Sequence, residues 1–342
     1  MKKKFIAAAS IACAGLLAVS LMGCGSSSSS SDSSSDDSSS SSSTASSSQD
    51  LRFVTGGESG TYYAFGTVLA NYATNNAGVS ITALSGNGSQ ANVQALEDNE
   101  AELAFCQGDV LAYAYNGERL FDGAAYEGFS VVAALYDETV QIVTCDPDIK
   151  TVEDLKGKTV SVGATGSGVY FNAVDVLEAY GLDVDSDISA VYQDFGDSTD
   201  SLKDNKIDAA FVVAGAPTTS ITDLSTSKQA YLVSMDEEHV NKLTASSPYY
   251  SATTIPANTY DGVTTDTTTV SVQAVIIAND SVSEDAVYNF VKSIFDGAKD
   301  NADAHAKYAE INLEKATSIN TVPYHAGAAK YFEEQGATVS TK

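Results

Sequence analysis

TGGESGTYYAFG, Thr55 to Gly66, is the stretch on which the reading of the fold turns. An extended run, Leu51 to Val54, arrives at Gly56 and Gly57. Gly60 follows, and behind it Tyr63, Ala64, Val68, Leu69 and Tyr72 set out a helical pattern. Strand, glycine turn and helix N-terminus, in that order, offer several backbone N–H groups to one bound anion. VGATGSGVYF, Val162 to Phe171, repeats the arrangement much later in the chain. Two such loops predict a small ligand held between two lobes. A nucleotide loop does not fit: Gly157-Lys158-Thr159 has the tail of a P-loop, but Val152 stands where the pattern needs a glycine.

Composition narrows the possible partners. The formal charge is −27, which argues against nucleic acid or any polyanion, because neutralising phosphates takes clustered Lys and Arg. Lys2, Lys3 and Lys4 precede an apolar run from Phe5 to Leu21, and Leu21-Met22-Gly23-Cys24 closes it with small residues before a cysteine. This is the pattern of a bacterial lipoprotein signal, residues 1–23, with Cys24 as the lipidated residue that ties the protein to the outer face of the cell membrane. A spanning helix fits less well, because the run is short and lacks basic residues on its far side. Residues 24–50 are nearly all serine and read as a flexible tether reaching on the order of 28 Å. Cys106 and Cys145 lie in apolar runs, LAFCQ and IVTCD, and read as buried thiols rather than a disulfide. No zinc spacing occurs and no cofactor is implied.

Along the chain, strands and helices alternate as in an α/β fold. SITAL, Ser80 to Leu84, alternates like a strand; SGNGSQ turns; a helix is expected from Ala91 to Leu96. LAFCQGD is a short apolar strand ending in polar residues, and Val131 to Cys145 reads as a long strand crossing between lobes. Thr151 with Asp154 predicts a capped helical turn. Thr159 to Val162 feeds the second glycine loop, and its helix, Tyr170 to Tyr180, ends at Gly181. Ser201 to Gly215 gives another helix, turn and strand, and AGAPTTS offers a third helix start. TVSVQAVIIAND returns to the first lobe, followed by a helix capped by Ser283 with Ala286, Phe290, Ile294 and Phe295 on one face, and by HAGAAKYFEEQG. A chain that leaves a lobe and returns makes two crossings, which suits a hinge. The lobes are expected as 51–147 with 266–342, and 148–265.

TGGESGTYYAFG, AFCQGD, AALYDE (Ala133 to Glu138), DLKGKTVSVGATGSG, DAAFVVAGAPTTS, IPANTYDG (Ile255 to Gly262) and VPYHAGAAKYF (Val322 to Phe332) resemble, in that order, the landmarks of the TAXI-type solute receptors of tripartite ATP-independent periplasmic (TRAP) transporters. The resemblance covers Leu51 to Thr341. It implies a type II periplasmic-binding-protein fold, a ligand in the interlobe cleft, and delivery to an ion-gradient-driven membrane permease by a monomeric receptor. The ligands it implies are small organic acids: glutamate-like amino acids, dicarboxylates or oxoacids. Thr165 stands where the family often has proline, and Gly108 where it has serine, so the ligand does not transfer from any relative.

The inventory of cations adds a separate constraint. Arg52 and Arg119 are the two arginines of the chain, and neither falls in a predicted cleft loop. A carboxylate would then be held by backbone N–H groups, helix dipoles and hydroxyls instead of a guanidinium clamp. Ser59, Gly60, Thr61 and Tyr62 would supply these from one side, and Thr165, Gly166, Ser167 and Gly168 from the other. Gln107 would orient a second polar group; Asp109 either accepts from an amino group or caps the next helix. Tyr62, Tyr63, Tyr136 and Tyr170 can cover a ligand or simply pack. Ala214, Gly215, Ala216, Pro217 and Thr218 would complete the wall. The same fold could serve an ABC transporter or a sensor kinase. A serine hydrolase is the rival from another class, but neither Ser59 nor Ser167 sits in a G-x-S-x-G elbow, and His239, His305 and His325 lie in segments that read as structural or solvated.

Overall fold

The computed structural model describes residues 50–342. The leader, Cys24 and the serine tract lie outside the described residues. Three strand–loop–helix units open the first lobe: β1 (Leu51–Val54) with α1 (Thr61–Asn76), β2 (Ile81–Leu84) with α2 (Ser89–Glu97), and β3 (Leu103–Gln107) with α3 (Gly108–Asn116). The sixteen residues of β4 (Phe129–Thr144) lead out. The second lobe carries β5 (Thr159–Ser161), α4 (Val169–Ala179), β6 (Ser189–Val191), α5 (Phe195–Lys203), β7 (Ala209–Ala214), α6 (Thr219–Ser227), β8 (Tyr231–Leu232), α7 (Glu237–Ser246) and β9 (Ser251–Ile255). The chain returns through β10 (Thr267–Asn279) and ends in α8 (Glu284–Asp300), the single turn α9 (Leu313–Ala316) and α10 (Ala326–Glu334).

All strands join one ten-stranded sheet in the order β2-β1-β3-β10-β4-β7-β5-β6, with β8 on β4 and β9 on β10. β1 pairs in parallel with β2 and β3, and β5 with β6 and β7. Such strands are covered on both faces and read as continuous apolar runs; all five residues of β3 are buried. β4 and β10 are antiparallel and run through both halves of the sheet. Their register, Tyr136 on Ala274 and Glu138 on Val272, is interrupted by irregularities at Ala274/Val275 and Ile276/Ile277, where a paired strand can bend. The apolar cores change over at the same place. One cluster holds the buried side chains up to Tyr136 and again from Ala274, together with Phe171; the others begin at Val140 and include Val270 and Val272. The cores therefore divide inside the two long strands, not at their ends.

Local chemistry accounts for the boundaries. Thr151 and Asp154 form a reciprocal capping box on a 3-10 turn, Val152–Leu155. Ser283 caps α8, which buries Ala286, Val287, Phe290, Val291 and Ile294. Cys106 and Cys145 are free thiols, the first buried and the second half-buried. Among the described residues no helix is long and apolar enough to cross a membrane.

Candidate ligand-binding site

Three helices start at glycines without any side-chain cap: α1 at Gly60, α2 at Gly88 and α4 at Gly168. An uncapped N-terminus leaves its first N–H groups and the positive end of its dipole to whatever faces them. All three face one cavity at the seam of the lobes, of about 640 Å³ with its mouth included. Gly86 to Ser89 line it from the first lobe beside Gly60, Thr61 and Tyr62. Ala164, Ser167, Gly168 and Val169 line it from the second, with Phe195, Val213 and Ala214. Close approach explains the glycines. A Cβ on Gly168 would fall 1.7 Å from Gln107 Oε1, and one on Gly88 would fall 3.1 Å from Ser167 Cβ. Ser167 is buried, and its Oγ has no hydrogen-bond partner among the described residues. A buried hydroxyl in that condition costs free energy unless something in the cavity meets it.

Of the residues expected at the site, Gly60, Thr61, Tyr62, Gln107, Ser167, Gly168 and Ala214 share this wall. The others lie off it, for visible reasons. The Ser59 carbonyl accepts from Ser220 N of α6 at 3.3 Å, and the Gly166 carbonyl accepts from Ala91 N of α2 at 2.9 Å, so both tie the lobes together. Thr165 is exposed at the loop tip and Tyr63 is half-buried. Tyr136 is fully buried against the edges of Phe65 and Phe105. Tyr170 packs on Phe171 and Tyr192. The Gly215 carbonyl accepts from Thr61 Oγ1 at 3.0 Å and from Thr218 Oγ1 at 3.1 Å, and the Ala216 carbonyl accepts from Lys307 Nζ at 3.1 Å; Pro217 is exposed. Residues 215–218 thus brace the loop behind the wall.

Asp109 neither lines the cavity nor acts as the N-cap of α3, which is Gln107. It is buried, and its Oδ2 accepts from Asn172 Nδ2 of α4 at 3.0 Å. Asn172 also accepts from Gln107 Nε2 at 2.6 Å and donates to the Tyr250 hydroxyl at 2.8 Å, which in turn donates to Asp175 Oδ2 at 2.8 Å. Asp175 completes the chain with an ion pair to Arg119, whose guanidinium lies over Tyr113 and Phe171. The turn carrying Arg119 is therefore part of a latch between α3 and α4, a role its local sequence does not reveal.

Three features of the wall escaped the reading by loop pattern. Gly88 and Ser89 repeat the glycine-then-helix arrangement in SGNGSQ, and the helix starts at Ser89, earlier than expected. Asp194 and Phe195 reach the rim from the start of α5. Glu138 projects from β4 at the crossing, 2 % exposed, with Oε2 accepting from Tyr62 Oη at 2.7 Å. Burial pushes its carboxyl up to about 8; Tyr62's hydrogen bond and Lys307 pull the other way, while Asp109 adds to the rise. Burial likewise raises Asp109 to about 7. None of the described residues lining the cavity is Lys or Arg. Lys307, the buried cation nearby, is taken up by Ala216 O and Glu310.

The NMT1-like family model matches residues 53–336. The chain belongs to the NMT1-like family. Among solved structures, a periplasmic transporter is similar over 84 % of this chain and 93 % of its own, at 14 % identity and a TM-score of 0.55. A protein of Bordetella bronchiseptica RB50 is similar over 83 % and 88 %, at 15 % identity and a TM-score of 0.52. At those identities the likeness is one of fold: two lobes of a type II periplasmic binding protein, a cleft between them and two crossing strands. The histidines of this NMT1-like chain are engaged away from the cleft. His239 stacks on Tyr180 beside Asp236, His305 stacks on Phe65, and His325 caps α10 and contacts Val282 O. Neither Ser59 nor Ser167 is hydrogen-bonded to a histidine, so no activated nucleophile of the Ser–His kind is present in the described residues.

Proposed function

We propose that this chain is an extracytoplasmic solute receptor that closes on a small carboxylate and passes it to an ion-gradient-driven TRAP permease. The observation that carries the reading is the convergence of three glycine-started helices without side-chain caps on one cavity whose buried hydroxyl, Ser167 Oγ, lacks a partner among the described residues. Backbone N–H groups and helix dipoles can hold an anion without a guanidinium, and no described cationic side chain lines the wall. The fold supports capture between lobes; the ordered TAXI-type segments favour the tripartite route over an ABC transporter or a sensor kinase. Calorimetry of the mature protein against amino acids, dicarboxylates, oxoacids, and neutral and cationic solutes tests the ligand class. Carboxylates are expected to bind, and binding confined to neutral or cationic solutes would overturn the reading. Membrane attachment is assigned to Cys24: Cys24→Ser is expected to release the protein from the membrane fraction, and full retention would remove that assignment.

A further inference from the structure

The cavity holds a buried acid where a receptor for anions would ordinarily place a base. Of the two carboxyls in its wall, Asp194 is exposed at the rim, and its Oδ1 already accepts from Asp197 N at 2.8 Å. Glu138 is buried and held from one side alone: Oε2 accepts from Tyr62 Oη at 2.7 Å, and Oε1 has no hydrogen-bond partner among the described residues. Tyr62 keeps its own proton, because burial and Glu138 hold its hydroxyl well above the ordinary range. A proton on Glu138 therefore sits on Oε1. Lys307, the cation near it, is taken up by Ala216 O and Glu310. Val272 stands opposite Glu138 on β10, and Val169, Val213 and Ala214 share the wall. With no cation of its own and little water, a carboxyl so placed is favoured as the neutral acid, and a neutral acid is a hydrogen-bond donor.

We infer that Glu138 is a ligand-binding residue, which as an uncharged acid donates its Oε1 hydroxyl to an oxygen of the bound carboxylate ligand; this rests on the carboxylate reading above. The acid then does with one proton part of what a guanidinium does elsewhere, and an O–H···O⁻ bond is short and about twice as strong as a neutral one. The charged and titratable groups that face Glu138 are Tyr62 on α1, Tyr136 on its own strand, Cys106 and Asp109 at the β3–α3 junction, Lys307 with Glu310 beyond α8, and Asp194 across the cavity. Binding of this kind needs the proton. Affinity is level while Glu138 is protonated and falls tenfold per pH unit above its titration. With that carboxyl at about 8, the loss between pH 7 and pH 9.5 comes to about thirtyfold.

The test titrates butyrate, lactate, succinate and 2-oxoglutarate calorimetrically into the mature protein at pH 7, 8, 9 and 9.5. These probes carry no amine, and their carboxyls stay ionised throughout. The tightest of them is expected to lose about thirtyfold across the range. E138Q, which keeps an N–H donor in the same place, is expected to bind within about fivefold of the native protein at pH 7 and to lose threefold or less by pH 9.5. E138A is expected to bind at least thirtyfold more weakly at pH 7. A native affinity that is level or rises with pH overturns the inference, as does an E138Q protein that keeps the full pH dependence or binds as poorly as E138A. If neither variant folds, proton uptake by the native protein, measured in buffers of different ionisation enthalpy, decides the point. Close to one proton per ligand is expected at pH 9.5, and none taken up there overturns it. Carboxylate binding that fails these arms removes the role of Glu138 alone. If none of the four probes binds, the carboxylate reading itself falls, and this inference with it.

Discussion

Gly168 faces the first lobe at close range. Its backbone is right-handed helical, φ −69 and ψ −20, a conformation alanine adopts freely. The obstacle to a side chain there lies across the seam, in Gln107 Oε1 at 1.7 Å and Ser89 Oγ at 3.0 Å from the would-be Cβ. Gly168→Ala is therefore expected to keep each lobe folded, with a melting temperature near that of the native protein, while weakening ligand at least thirtyfold by calorimetry. Parallel losses of folding and binding would place the role of Gly168 within its own lobe. Residues like Gly168 and Ser167 were legible in the sequence because a strand, a glycine turn and a helix leave a local signature. Glu138 was not. It is one of two adjacent acids, Asp137 and Glu138, in an otherwise mostly apolar strand, and its place in the cavity wall follows from β4 pairing with β10, which no local pattern encodes.

At the scale of elements, α3 and α4 are joined by side chains that come from distant parts of the chain. Asp109 is the buried carboxyl at one end of that contact. Its carboxyl is raised to about 7 by burial, above the ordinary value near 3.9. The folded protein therefore binds more protons than the unfolded chain between about pH 4 and pH 7, and its stability falls as pH rises through that window. Below it both states are protonated, and above it both are ionised. Asp109→Asn is expected to remove this component, on the order of 3–4 kcal/mol across the window. Urea titrations of native and variant protein at pH 4.5 and 7.5 measure it as a double difference. The opposite sign would mean that Asp109 is charged in the folded state. The strands and helices that carry these groups were readable from periodicity and caps, as with Thr151–Asp154 and Ser283. The facing of α3 and α4 was not, because Arg119 sits in an unremarkable polar turn and finds Asp175 only in the folded molecule.

For the whole molecule, the two crossings could be anticipated from a chain that leaves one α/β unit and later returns. Their placement inside β4 and β10 is decided by which apolar side chains share a core. Arg119→Ala is expected to weaken ligand less than Ser167→Ala, about fivefold against tenfold or more. A partly exposed ion pair is worth roughly 1 kcal/mol or less, whereas Ser167 lines the cavity and is proposed to meet the ligand itself. The same Arg119 variant, without ligand, is expected to show a larger radius of gyration by small-angle scattering than the native protein, because the pair opposes opening. An unchanged radius would show that the latch contributes nothing to closure.

The contacts among Arg119, Asp175, Asn172 and Asp109 lie outside the cavity wall and are made by protein groups alone. They favour the shut clamshell whatever the cleft holds. In the proposed role, a permease that judged its visitors by outline would receive unladen copies as well as laden ones, in a ratio set by the latch. If the chain serves a transporter as proposed, more of it at the membrane would at some density lengthen the queue there instead of raising uptake.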